Sequence, residues 1–146
     1  MYDHILVPTD GSDHAAVVTA HAAEIAATRD ATVHVLSVVD DRAFLVLDDD
    51  RIDAVRADLR ANARDAVDDI ATEAIEHGLE VETTIDSGSP AECIVDYAAE
   101  HDIDLIVMGT SGDEYERNVV GSVSQRVVRE ASTPVLTVGP DVEASH

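Results

Sequence analysis

The sequence predicts an α/β fold: a single-domain, doubly wound, five-stranded parallel sheet with helices on both faces. Three observations carry that expectation. Mostly apolar runs of strand length recur, at His4–Thr9, Thr32–Val39, Asp104–Gly109 and Pro134–Val138, and Leu105–Met108 is uninterrupted. Such runs suit strands that are covered on both faces. Segments with helical spacing of apolar residues separate them. The resulting order, strand then helix four times and a closing strand, is that of a parallel sheet with crossover helices.

Each element has its own local justification. HILVPT (4–9) reads as a buried strand, Asp10-Gly11-Ser12 as a turn, and Ser12 or Asp13 as the cap of the first helix. Ala15, Val18, Ala22, Ile25 and Ala26 keep helical spacing to about Arg29. After the strand Thr32–Val39, the stretch 42–50 reads as a loop or short helical turn. A long amphipathic helix is expected over 51–77, with Ile52, Val55, Leu59, Ala63, Ala66, Ile70 and Ala74 as its inner stripe. Gly78 is placed to end it. Arg56, Arg60 and Arg64 recur on another face, among acids, as a solvated ion-pair surface. Glu80–Asp86 alternates and is expected near a sheet edge. Ser89-Pro90-Ala91-Glu92 has the form of a capping box with proline at the first helical position, and Ser122 with Gln125 has the form of a second. The helices they open are expected to end near His101 and Ala131. The domain is expected to span 1–139, with a loose tail at 140–146.

The charge narrows the functional classes. The chain of 146 residues has 31 acidic and 9 basic residues, a net charge of −22, and every basic residue is Arg. The acids are dispersed and the apolar periodicity is sustained, unlike a disordered acidic chain. This is the surface expected of a protein from a halophilic archaeon. At ~1 M salt the Debye length falls to roughly 3 Å and self-repulsion is screened. Without a basic patch, nucleic acid and anionic membranes are not expected partners. No apolar segment approaches the ~20 residues of a membrane span, and no leader pattern opens the chain, so a cytoplasmic location is expected. Cys93 is alone and reads as a buried, inert thiol.

Open parallel sheets bind ligands at the carboxyl ends of their strands, where strand order reverses. The residues there are Pro8-Thr9-Asp10, Val38-Val39-Asp40, and the stretch from Met108 and Gly109 to Ser122. Asp10 could accept hydrogen bonds from a ribose or base edge, or be a turn residue only. The backbone at Val38 could meet an adenine edge, and Met108 a flat ring. Gly112, Gly121 and Ser122 could present N–H and O–H groups to phosphates, or be turn glycines and a helix cap only. Other chemistry finds no support: there is no phosphate-loop lysine motif, no Cys/His metal spacing, no nucleophile with a partnered base. His14 and His21, seven apart, are expected to face solvent.

Taken together, ILVPTDGS (5–12), Gly88-Ser89-Pro90, DLIVMGTSG (104–112), the later GSV (121–123) and RVVREASTPVLTV (126–138) resemble the universal stress proteins. The resemblance covers the chain apart from 42–50. It implies the strand order 3-2-1-4-5 and a homodimer joined through the last strand, 134–138. For the nucleotide-binding branch of that family it implies ATP or AMP, held by Pro8, Thr9, Asp10 and Val38 at the adenosine end and Met108 and Gly109 about base and ribose. Gly112, Gly121, Ser122 and Val123 would hold the phosphates; beside what the resemblance implies, Arg117 is the loop cation expected to join them, and Mg²⁺ could bridge the nucleotide to the acidic loop. The expected role is a stress-response sensor or switch, with at most weak ATPase activity because no general base or arginine finger is evident.

The chain departs from that branch in one place. Eight residues, not nine, separate Gly112 from Gly121, and the loop contains Asp113, Glu114 and Glu116 with Arg117 as its one cation. Each carboxylate ~5 Å from a phosphate charge, at an effective dielectric of ~20, costs about 3 kcal/mol unscreened. A nucleotide-independent dimeric interaction protein with a vestigial glycine loop is therefore the competing expectation.

Overall fold

The computed structural model of the protein describes residues 3–9, 15–28, 30–40, 49–109 and 122–139. Five strands and four helices alternate: β1 (His4–Thr9), α1 (Ala15–Ala27), β2 (Thr32–Asp40), α2 (Asp49–Glu76), β3 (Glu80–Gly88), α3 (Pro90–Glu100), β4 (Leu105–Gly109), α4 (Ser122–Glu130) and β5 (Val135–Val138). The strands form one parallel sheet in the order β3-β2-β1-β4-β5, as expected. The order places the alternating β3 at an edge.

Successive residues of a strand point to opposite faces, and both faces are covered. Ile5, Val7, Val33, Val35, Leu105 and Val107 pack with Val18 and Ala22 of α1 and Val67 and Ile70 of α2. Leu6, Leu36, Ile106 and Met108 pack on the other face with Ile94 and Tyr97 of α3 and Val127 of α4. Two covered faces are why β1 and β4 contain no polar alternation.

Three helices stop in the same way. Leu79 N–H bonds to Ala74 C=O at 3.2 Å and Gly78 N–H to Ile75 C=O at 2.9 Å, with Gly78 at φ +80°. This is a Schellman turn, which satisfies carbonyls the helix leaves free. The equivalent long-range bonds are Ala31 N–H to Ala26 C=O (3.1 Å) after α1 and Ile103 N–H to Ala98 C=O (3.0 Å) after α3. There the left-handed position is Asp30 (φ +53°) or Asp102 (φ +52°), where glycine would be less strained.

Several local expectations are corrected. Asp49 and Asp50 belong to α2, not to the preceding loop, and β3 continues to Gly88. Ser89 is the extended N-cap residue of α3, with Pro90 first in the helix, but it makes no side-chain capping bond. Its hydroxyl is instead engaged by Arg126 of α4 at 3.4 Å. His21 is half-buried, with Nε2 enclosed and without a hydrogen-bond partner, so it does not face solvent. The turn at 10–12, the helix cap at 12–13, residues 42–48 and the tail 140–146 lie outside the described residues.

Candidate functional site

Strand order reverses between β1 and β4, and the ladder there is short among the described residues. Among those residues the two strands pair as Ile5↔Leu105 and Leu6↔Ile106. On the flanks pairing continues, β1 with β2 to Thr9↔Ser37 and β4 with β5 to Gly109↔Val138. Each central strand thus follows its outer neighbour while the seam between them opens toward the carboxyl ends. β2 runs on through Val38–Asp40 beside β3. The opening is bounded by the ends of β1, β2 and β4, and α4 starts on the same side, as a crossover helix must. This is the crevice that a topological switch point provides.

The expected site residues divide in three. Pro8, Val38 and Met108 lie on the sheet face covered by α3 and α4, in step with Leu6, Leu36 and Ile106. Val123, in the first turn of α4, packs on the same cluster. Pro8 and Val38 are half-buried, whereas Met108 is only 5% exposed and its side chain is mostly committed to the core. Thr9 and Gly109 end their strands, each half-buried. Ser122 is placed as the first residue of α4. Asp10, Gly112, Arg117 and Gly121, with the acidic stretch 113–117, lie outside the described residues.

At the sheet edge, beyond β2 from the crevice, Gly88 ends β3 at φ +143°, and a Cβ there would lie 3.1 Å from Cys93 Sγ. The backbone at that point therefore requires glycine, which gives a physical reason for Gly88-Ser89-Pro90. Cys93 is half-buried, not fully buried, with Sγ 3.8 Å from Ser87 C=O.

Sequence reasoning missed Arg126. It bonds Glu130 at 2.9 Å within α4 and reaches Ser89 Oγ and, at 4.0 Å, Glu92 of α3. It ties the start of α3 to α4, the helix that opens beside the crevice. Its partners in α3 are 37 and 34 residues distant, so no local pattern announces them. Arg126 sits beside partly solvated acids, and such pairs contribute about 0.2–1 kcal/mol each.

A Rossmann-like α/β protein with a crevice at its switch point is what this sheet and seam define. The family model described as the universal stress protein family matches residues 1–139. The chain belongs to the universal stress protein family. It is 37% identical over 140 residues to universal stress protein MJ0531 of Methanocaldococcus jannaschii, covering 94% of this chain and 82% of that one. Among solved structures, hypothetical protein MJ0577 of the same organism matches with a TM-score of 0.89 at 30% identity, over 97% of this chain and 98% of that one. The universal stress protein of Archaeoglobus fulgidus in complex with dAMP matches with a TM-score of 0.70 at 28% identity, over 93% and 97%.

Proposed function

We propose that this universal stress protein binds an adenine nucleotide, ATP or AMP, in the crevice between β1 and β4, and acts as a homodimeric sensor or switch. The observation that carries the reading is the opening of the β1–β4 seam beyond Leu6↔Ile106. It leaves a slot whose floor is apolar where Pro8, Val38 and Met108 share a face, which suits a flat base. The complex of the Archaeoglobus fulgidus relative with dAMP supports the class of ligand. In this reading Val38 and Asp10 meet the adenosine, and Thr9 and Gly109 edge the ribose. Gly112, Arg117, Gly121, Ser122 and Val123 receive the phosphates, and Mg²⁺ enters with them. Residues 1–139 form the folded unit, 140–146 a tail, and the protein works in a salt-rich cytoplasm. Binding selects one arrangement of the 109–122 segment and so one partner surface.

The acidic, shortened loop favours a second reading, a dimer that acts without nucleotide. Calorimetry with ATP, AMP and Mg²⁺ in molar KCl separates them. Binding at or below millimolar nucleotide is expected, weakened by Asp10→Ala and by Gly121→Asp. No heat at millimolar nucleotide refutes the first reading, and unchanged affinity in both variants refutes the site. Light scattering on the same samples is expected to give twice the chain mass; a monomer refutes the dimer.

A further inference from the structure

The opposite end of the sheet from the crevice carries a second constellation. His4 Nδ1 lies 3.1 Å from His34 Nε2, and His34 Nδ1 lies 2.8 Å from the Tyr97 hydroxyl. Tyr97 stacks on His101, ring centroids 3.8 Å apart and planes within 14°. The chain of contacts joins β1, β2 and α3. His34 is 2% exposed and Tyr97 7%. An imidazole in the middle of a buried strand face, with both nitrogens engaged, is expensive to place and demands those partners.

We infer that His4, His34 and Tyr97 form an acid-sensitive latch that fastens α3 to the sheet only while at least one of the two imidazoles is neutral. The reason is proton counting. A hydrogen bond between two ring nitrogens needs one N–H and one bare nitrogen. With both rings neutral, one donates to the other. With one extra proton, placed on His4, Nδ1–H of His4 donates to Nε2 of His34, and Nδ1–H of His34 donates to Tyr97. With both rings charged, two N–H groups face one another at 3.1 Å and the contact must open.

The surroundings favour opening over accommodation. On the β3 side, Glu82 Oε2 is 3.6 Å from His34 Nε2 but 65% exposed, so solvent weakens its pull; Glu80, further along, is engaged with Thr32 at 3.5 Å. At the C-cap of α3, His101 lies 6.1 Å from His34, centroid to centroid, and adds like charge when protonated. Just before β4, Asp104 Oδ2 accepts the backbone N–H groups of Asp3 and His4 at 2.8 and 3.1 Å, which turns that oxygen to the backbone and away from the imidazole pair. Burial pushes the His34 pKa below its ordinary 6.5; Glu82 opposes this, and His4 and His101 add to it. A base with a lowered pKa takes up its proton on opening, so the closed form is fully favoured above the ordinary pKa and loses ground as pH falls through it. Release of α3 also reaches its other end, where Ser89 and Glu92 hold Arg126 of α4.

Hydrogen exchange of the full chain from pH 8 to pH 5 in molar KCl, corrected for intrinsic rates, tests the latch. The amides of α3 are expected to lose protection by up to about tenfold per pH unit below about pH 6.5, ahead of α1 and the central strands. His4→Gln and His34→Gln each remove one titrating ring and are expected to flatten that local dependence. Because His34 is buried and its replacement threatens the fold itself, His4→Gln, at a half-buried position, decides alone if necessary. Protection of α3 that is independent of pH, that falls in step with the whole chain, or that keeps its pH dependence in His4→Gln overturns the inference.

Discussion

Truncation of Met108 to alanine separates what the crevice floor does for the fold from what it does for a ligand. Met108 is 5% exposed and packs with Leu36, Ile106 and Val127 beneath α3 and α4. Removing a buried Met side chain leaves a cavity and costs about 2–5 kcal/mol. For a chain of this size that is a fall in Tm on the order of 5–15 °C. The effect on a bound base should be small. Full burial of such a side chain is worth about 1.5–3 kcal/mol. A ligand can cover only the last twentieth of it, which is about 0.1 kcal/mol and less than a 1.5-fold change in Kd. Urea unfolding and nucleotide calorimetry, both in molar KCl, read the two quantities on one preparation. A Kd weakened more than about tenfold with an unchanged unfolding midpoint refutes the reasoning. It would mean that the side chain serves the ligand and not the core.

Two further outcomes are expected. Asp102→Gly should stabilise the protein by about 0.5–1 kcal/mol: it relieves the left-handed strain at φ +52° and removes an acid from the carboxyl end of α3, offset by the chain entropy of glycine. An unchanged or lower urea midpoint refutes it. With a net charge of −22, Tm should rise between dilute buffer and molar KCl as self-repulsion is screened. A flat series of melts refutes the argument that this surface is built for concentrated salt.

Much of the sheet is legible because its determinants are local. A run such as Leu105–Met108 has apolar groups for both faces within four residues, and Gly78 supplies its own φ. The edge position of β3 shows in its alternation: Val81 and Ile85 pack on the core only in part, and no residue of the strand is buried. What stays hidden depends on distant partners. The Ser89–Glu92 pattern is a sound capping signal, yet Arg126 takes the serine hydroxyl, because α3 and α4 lie side by side only in the folded sheet. The latch is less legible still. His4 and His34 are 30 residues apart and Tyr97 another 63, and nothing brings them together before the strand order does. The one available hint was a histidine inside TVHVLSVV, where a buried polar ring needs a partner. For the crevice, the sequence marks the strand ends and their glycines. How much of Met108 remains open depends on helices that cross above it, and no spacing reports that.

The two edges of the sheet are treated differently, and the difference bears on the proposed dimer. An exposed edge strand offers unpaired backbone groups to any other chain, and charge is one of the few ways to blunt it. On β3, Glu80, Glu82 and Asp86 are all exposed. In a chain without lysine the guard falls to acids, and two such edges repel one another. β5 has no such guard: Val135–Val138 contains no charge, and Leu136 is 38% exposed on the face shared with Val138. Concentrated salt sharpens the contrast. It shortens the range of charge repulsion at β3 to a few ångströms, roughly 3 Å at 1 M, while leaving the tendency of apolar β5 to leave water in force. Joining two copies through β5 covers the bare edge once and leaves a β3 edge at each end, where further addition still brings carboxylates within contact distance. The arrangement stops at two, which is the reason to expect a dimer from this chain and not a growing sheet.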